Sequence, residues 1–339
     1  MTEATPATAP LREPAPPTVP AASAVAARGI ARRLRGRALV AASWVACRLP
    51  EPPLLALADL VGRLWYRLAP ERRRRARRNL TRVTRWLADH DMGSPEARLA
   101  ACDGRALNRL VRDAFRNSAR YYVQLSRTAI VDRAYLDRWL VLDNPDVTNA
   151  GLDDPDGSLF VGLHMSWYEL PALVASIRIG RRTVVPSETI ADPELQAYLV
   201  ASRRRLGLEL IDLASAKRRL KEALLRGETV GLLGDRDITG GGIAVDFFGA
   251  PAPLAAGPAL LAMDTGITPH VFGVWRDDAT GVYHASAERI PMPAAGTRRE
   301  RVTGYLEAEA RAFERFVAAA PEQWLAVFHP IWPDLEAAA

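Results

Sequence analysis

The side chains best placed to do chemistry are His164 and Glu169, with four residues between them, directly after the apolar run 159–163. A neutral imidazole takes a proton from a hydroxyl or a water near neutral pH. A carboxylate bonded to its other nitrogen fixes the tautomer and steadies the imidazolium. The spacing predicts that Glu169 is that carboxylate and that His164 is the general base. A core histidine satisfied by its neighbours is the structural alternative for so short a motif. His164 is one of five histidines in the chain, and it ends an apolar run rather than lying on a polar face, which favours chemistry.

Two further groups stand at comparable places. Gly234-Asp235-Arg236-Asp237 follows the apolar segment 229–233 and leads into Gly240-Gly241-Gly242. Glycines there let backbone approach a ligand closely; a hairpin loop is the plainer reading. Arg203-Arg204-Arg205 closes a helical pattern. Cations suit a helix C-terminus, and arginines also grip phosphate oxygens in pairs. No Gly-x-Ser-x-Gly elbow and no phosphate loop of the GxxxxGK type is present. Cys47 and Cys102 make no disulfide framework, which fits a reducing compartment, and no second histidine follows His164 within 100 residues. No metal site is expected.

Helices and strands alternate from residue 159 onward. Strands are predicted at 159–163, 183–185, 208–212, 229–233, 267–275 and 282–288. Helices are predicted at 167–179, 193–206, 215–226, 255–265 and 298–319, with earlier ones at 103–127 and 132–140. Such alternation means an α/β fold with a mainly parallel or mixed central sheet covered by helices. It puts His164 and Asp235 at C-terminal strand ends and Glu169 near the start of the next helix, where open α/β sheets form their clefts.

The front of the chain differs. Residues 1–27 are mostly Ala, Pro, Thr and Ser and read as a disordered tail without the pattern of a secretory signal. From Arg28 to Arg85 there are sixteen arginines against three acids, a net +13 in a chain of net +6. Leu54, Leu57, Ala58, Val61, Leu64, Trp65 and Leu68 recur at helical spacing within it. Arg63 and Arg67 interrupt the ~20 apolar residues that a membrane span needs. Region 28–90 is therefore expected to be an amphipathic helical segment lying on an anionic membrane surface, with Trp44, Trp65 and Trp86 near the interface. A core-packing helix with a solvated arginine face is the alternative. No nucleic-acid-binding motif accompanies these arginines, and no nucleic-acid partner is expected. Region 91–335 is expected to be the α/β domain, forming a single domain with 28–90.

Four segments, in order, resemble the lipid A biosynthesis lauroyl/myristoyl acyltransferase family, and most closely its phosphatidylinositol mannoside acyltransferase branch. They are Ala76-Arg77-Arg78-Asn79-Leu80; His164 with Glu169; Gly234-Asp235-Arg236-Asp237 through Val245-Asp246-Phe247-Phe248-Gly249-Ala250-Pro251; and Pro321-Glu322-Gln323-Trp324 with Pro330-Ile331-Trp332. The resemblance spans about residues 35–335. The branch has Asp where this chain has Glu169. The resemblance implies a fold like that of glycerolipid acyltransferases. It also implies a peripheral enzyme at the cytoplasmic face of the bacterial cell membrane. That enzyme moves an acyl chain from acyl-CoA or acyl carrier protein to a hydroxyl of a membrane glycolipid, with no cofactor. It casts His164 as base, Glu169 as its partner, Arg203 or Arg205 as the family's arginine, and Asp235, Arg236 and Asp237 as acceptor-site residues. Two rival expectations are a hydrolase using the same His–Glu pair and a lipid-binding membrane protein without catalysis.

Overall fold

The structure is a computed structural model that describes residues 36–38, 40–187, 193–238 and 240–337, without the side chains of 195, 199, 202, 205, 214 and 337. The expected tail at 1–27 lies outside the described residues.

Helices come first. α1 (Glu51–Leu68) and α2 (Pro70–Asp89) are separated by Ala69, because Pro70 has no N–H to continue the ladder. α3 (Pro95–Leu99), α4 (Gly104–Arg127) and α5 (Arg133–Trp139) follow. Asp103 starts α4 by accepting from the N–H groups of Arg105 and Ala106. α1 lies against α4 through its small residues: a Cβ on Gly62 would stand 2.7 Å from Arg116 Cα. Only glycine permits that approach.

The sheet follows, with β1 (Leu140–Leu142), α6 (Pro145–Asp153), β2 (Ser158–Gly162), α7 (Leu170–Val174, continued by a π-helical turn Ala175–Ile179), β3 (Thr183–Ser187), α8 (Pro193–Arg205), β4 (Leu208–Asp212), α9 (Leu213–Leu225) and β5 (Thr229–Leu233). After the hairpin of β6 (Ile243–Phe247) and β7 (Ala250–Leu254) come α10 (Gly257–Thr265), β8 (His270–Arg276), β9 (Tyr283–Arg289), α11 (Arg298–Ala319) and α12 (Pro333–Ala337). Seven of these strands form one sheet in the order β1-β9-β8-β2-β5-β3-β4. The stretch β8-β2-β5-β3-β4 is parallel throughout, whereas β9 runs antiparallel to β8 and carries β1 parallel to itself. The expectation of a mainly parallel sheet covered by helices is met.

β2 sits in the middle and is buried along its whole length. Leu159 and Val161 enter one hydrophobic core, with α2, α4, α9 and α11. Phe160 enters a second core with α5 and α7. This two-sided burial is why the segment reads as a continuous apolar run.

β1, α3, α6 and α12 were not predicted, and two further elements differ from expectation. The strands of the β6–β7 hairpin were not predicted. Its prolines, Pro251 and Pro253, sit in a two-stranded ribbon where a missing N–H is tolerated, and Phe248 and Gly249 make the turn with positive φ. The helix predicted from 167 begins only at Leu170, since residues 163–168 are used to build the cleft.

Candidate active site

β2 and β5 are parallel neighbours, with Gly162 paired to Leu233. Two residues beyond each end stand His164 and Asp235, so the register sets them side by side. Asp235 Oδ1 lies 2.7 Å from His164 Nδ1, and its Oδ2 accepts from the His164 backbone N–H at 3.0 Å. The indole Nε1–H of Trp324 donates to the same Oδ2 at 2.9 Å. Asp235 is 1 % exposed. Burial pushes its carboxyl up, but the His164 ring, the Trp324 donor and the His164 N–H together hold it below the usual carboxylate range. An ionised Asp235 fixes the proton on Nδ1 and leaves the lone pair of His164 on Nε2.

The loop carrying His164 is clamped by the C-terminal segment. Leu325 donates its N–H to the His164 carbonyl at 2.7 Å, and Ser166 donates to the Gln323 carbonyl at 2.9 Å. Met165 pairs with Trp324, and Ser166 takes a left-handed φ of 48°. Left-handed backbone in a non-glycine residue persists where its surroundings hold it, as they do here. Tyr168 sets its ring 5.2 Å from the imidazole, edge to face.

The pairing expected between His164 and Glu169 is therefore corrected. Glu169 turns away from the ring. Its Oε1 accepts from the Tyr121 hydroxyl at 2.9 Å and faces Arg203 at 3.5 Å, while its Oε2 is buried without a partner. Burial pushes its carboxyl up, against the lowering influence of Arg203 and Tyr121. Glu169 precedes the first residue of α7, so its side chain leaves from the helix start toward α4 and α8. Asp235 takes the place beside the imidazole because strand register, not short chain separation, brings it there.

A profile of the bacterial lipid A biosynthesis acyltransferases matches residues 101–333, which contain both members of this dyad. The chain belongs to that family. It is accordingly an acyltransferase acting on a glycolipid. Among similar proteins are two phosphatidylinositol mannoside acyltransferases. That of Mycobacterium tuberculosis (strain ATCC 25618 / H37Rv) is 28% identical over 308 residues, 86% of this chain and 87% of its own. That of Mycolicibacterium smegmatis is 28% identical over 261 residues, covering 76% and 78%.

The remaining predicted site residues of this family member fall into two places. Arg203 is buried on α8 with its guanidinium toward Glu169, so it is engaged inside the protein and not extended as an open phosphate clamp. The side chain of Arg205 lies outside the described residues. Arg236 and Asp237 are in the loop directly after Asp235. Asp237 accepts from the N–H groups of Gly240 at 2.9 Å and Gly242 at 2.8 Å. The glycine-rich stretch therefore wraps a carboxylate of its own chain.

Sequence reasoning missed His329. Burial, followed by Arg236, His164 and Arg72, pushes its imidazole down to about 4, which brings its ring into the same electrostatic neighbourhood as the dyad. The signal was the position of His329 immediately before the motif Pro330-Ile331-Trp332.

Proposed function

We propose that the chain transfers a fatty acyl group from acyl-CoA, or from an acyl carrier protein, to a hydroxyl of a membrane glycolipid of the phosphatidylinositol mannoside type. The observation that carries this reading is the part-exposed His164 held by buried Asp235 and Trp324, its strand end adjacent to that of Asp235, in a chain of this family. The named relatives support the acceptor class. A sugar hydroxyl is a poor nucleophile until it loses its proton. His164 Nε2 takes that proton while Asp235 steadies the imidazolium. The alkoxide attacks the thioester carbonyl, the carbon–sulfur bond breaks, and the imidazolium returns the proton to the leaving thiolate. A thioester is already activated, so this chemistry calls for neither a metal ion nor a covalent enzyme intermediate.

A small apolar cavity of about 20 Å³ lies under α6 and α7, lined by Leu140, Leu152, Phe160, Leu170, Val174 and Phe272 among others. Phe272 also lays its ring over Gly162, two residues before His164. At that size the cavity does not hold an acyl chain as it stands, and it marks an apolar seam in the wall beside the site. Leu170 lines it, whereas Trp167 is packed in the core against Tyr135 and Tyr283.

The outer face of α1 is our candidate for the membrane contact at the cytoplasmic face. Leu57, Leu60, Val61, Leu64 and Leu68 are exposed there, Leu68 by 70%, with Arg63, Arg67, Arg72 and Arg74 open beside them. Exposed apolar area rimmed by arginine suits an anionic bilayer. Arg75, Arg78 and Arg82 of the same run are bound instead to Glu336 and Asp334. Trp86 packs against His90 and Phe248. Among the described residues no helix is long and apolar enough to cross a membrane.

The test is mass spectrometry of products from purified protein, palmitoyl-CoA and a phosphatidylinositol mannoside, with and without EDTA. An acylated glycolipid formed equally under both conditions is expected. Free fatty acid with no acylated acceptor would establish a hydrolase instead.

A further inference from the structure

Glu309 of α11 is fully buried, and neither of its carboxyl oxygens has a hydrogen-bond partner. The reaction described above does not use it. Its Oε1 fills the space where a Cβ on Gly234 would stand, and Val161 of β2 closes the other side. The carboxyl is thus wedged against the backbone that turns from β5 into Asp235. Tyr305, one turn earlier on α11, is equally buried, and its hydroxyl faces this carboxyl without forming a full hydrogen bond to it. Burying unpartnered polar groups is unfavourable, and a leucine would serve packing alone. Gly234 is needed here because Glu309 is present.

We propose that Glu309 is a positioning residue for the dyad: its neutral carboxyl, seated behind Gly234, holds the strand end that presents Asp235, and its ionisation disturbs the Asp235–His164 pair. The kinetic consequence rests on the acyl-transfer reading; the structural one does not. Burial pushes the Glu309 carboxyl up to about 8, with Tyr305 lowering it and the Asp235 charge raising it. Near pH 7 it is uncharged and tolerates its anionic neighbour. Above about 8 a second negative charge appears behind Asp235. Like charges in a water-excluded site repel, and the hydrogen bonds of Asp235 are the closest structure to yield.

The groups facing Glu309 from its surroundings are few. Asp235 reaches it from the end of β5 and Tyr305 from its own helix. Asp246 of the β6–β7 hairpin turns to Arg311. Glu314, further along α11, takes the Phe248 N–H, and Asp264 of α10 turns to Arg298. His270 of β8 is influenced by Arg289 and Asp154. The folded protein keeps the Glu309 proton to higher pH than the unfolded chain does. The stability this provides is greatest below the ordinary carboxylate range and declines as pH rises toward about 8.

The experiment compares wild type with Glu309→Gln and Tyr305→Phe by ¹⁵N NMR of the histidine ring nitrogens across pH, without substrate, and by turnover across the same range. In the wild type the His164 signals are expected to show an inflection near pH 8, matched by a fall in turnover. Glu309→Gln should lose both while staying close to wild type at pH 7. Tyr305→Phe should move the inflection to higher pH, and it serves if the glutamine variant does not fold. A wild type without the inflection, a glutamine variant that retains it, or an unmoved midpoint in Tyr305→Phe would overturn the proposal. If the protein lacks transferase activity, the NMR comparison still decides it.

Discussion

Asp235 and Glu169 are two carboxylates with one histidine between them, and burial acts on both in the same direction. Their outcomes are opposite. Asp235 has the imidazole, the Trp324 indole and a backbone N–H on its two oxygens and is held down as an anion. Glu169 has one hydroxyl and a more distant guanidinium, leaves Oε2 unpartnered, and is pushed up. The difference teaches that a carboxylate becomes a histidine's partner by the number and aim of the donors around it. Nearness in the chain counts for little. In the proposed reaction the Asp235 flank serves the proton transfer. The Glu169 flank, with Arg203, Tyr121 and Tyr168, shapes the wall beside it.

The comparison can be broken most severely at the ring itself. His164→Ala should lower turnover by about 10²–10⁴-fold, the usual range for a lost general base, with circular dichroism and melting unchanged. Near-wild-type turnover would remove the dyad from the mechanism. Glu169→Gln should cost less, roughly tenfold or about 1.4 kcal/mol of barrier, because it weakens a wall without touching the imidazole. Steady-state kinetics should show no change in the pH dependence of kcat. A loss as large as that of His164→Ala would restore Glu169 as the partner. The smallest effect on chemistry is expected far from the crevice. Leu57→Glu combined with Leu64→Glu should abolish co-sedimentation with anionic vesicles. Turnover on a detergent-dispersed acceptor should change by less than about twofold. Binding of the wild type should weaken with salt, since each arginine near the surface contributes about 1 kcal/mol subject to screening. Unchanged sedimentation would show that this face is not the membrane contact.

The fold was legible because its core strands are apolar runs bounded by polar turns. The segments 208–212 and 229–233 match β4 and β5 at both ends. β1 was missed because three residues carry no period. The hairpin was missed because its prolines argue against a strand. In the site, His164 and Asp235 each stood out as polar residues ending an apolar run. Their pairing did not, because strand order and register are tertiary facts: β5 joins β2 only after β3 and β4 have been laid down on its far side. The front helix was legible as amphipathic. Which arginines are free was not, since Arg75, Arg78 and Arg82 find partners more than 250 positions away, at Glu336 and Asp334.

A double-mutant cycle on single-turnover acyl transfer tests the claim that His164 and Asp235 act as one unit most directly. Asp235→Asn alone should be strongly impaired, because an amide can leave the imidazole in the wrong tautomer. Added to His164→Ala, it should cost almost nothing further, since residues that act together are not additive. Full additivity of the two losses, or a wild-type rate for Asp235→Asn, would contradict the account.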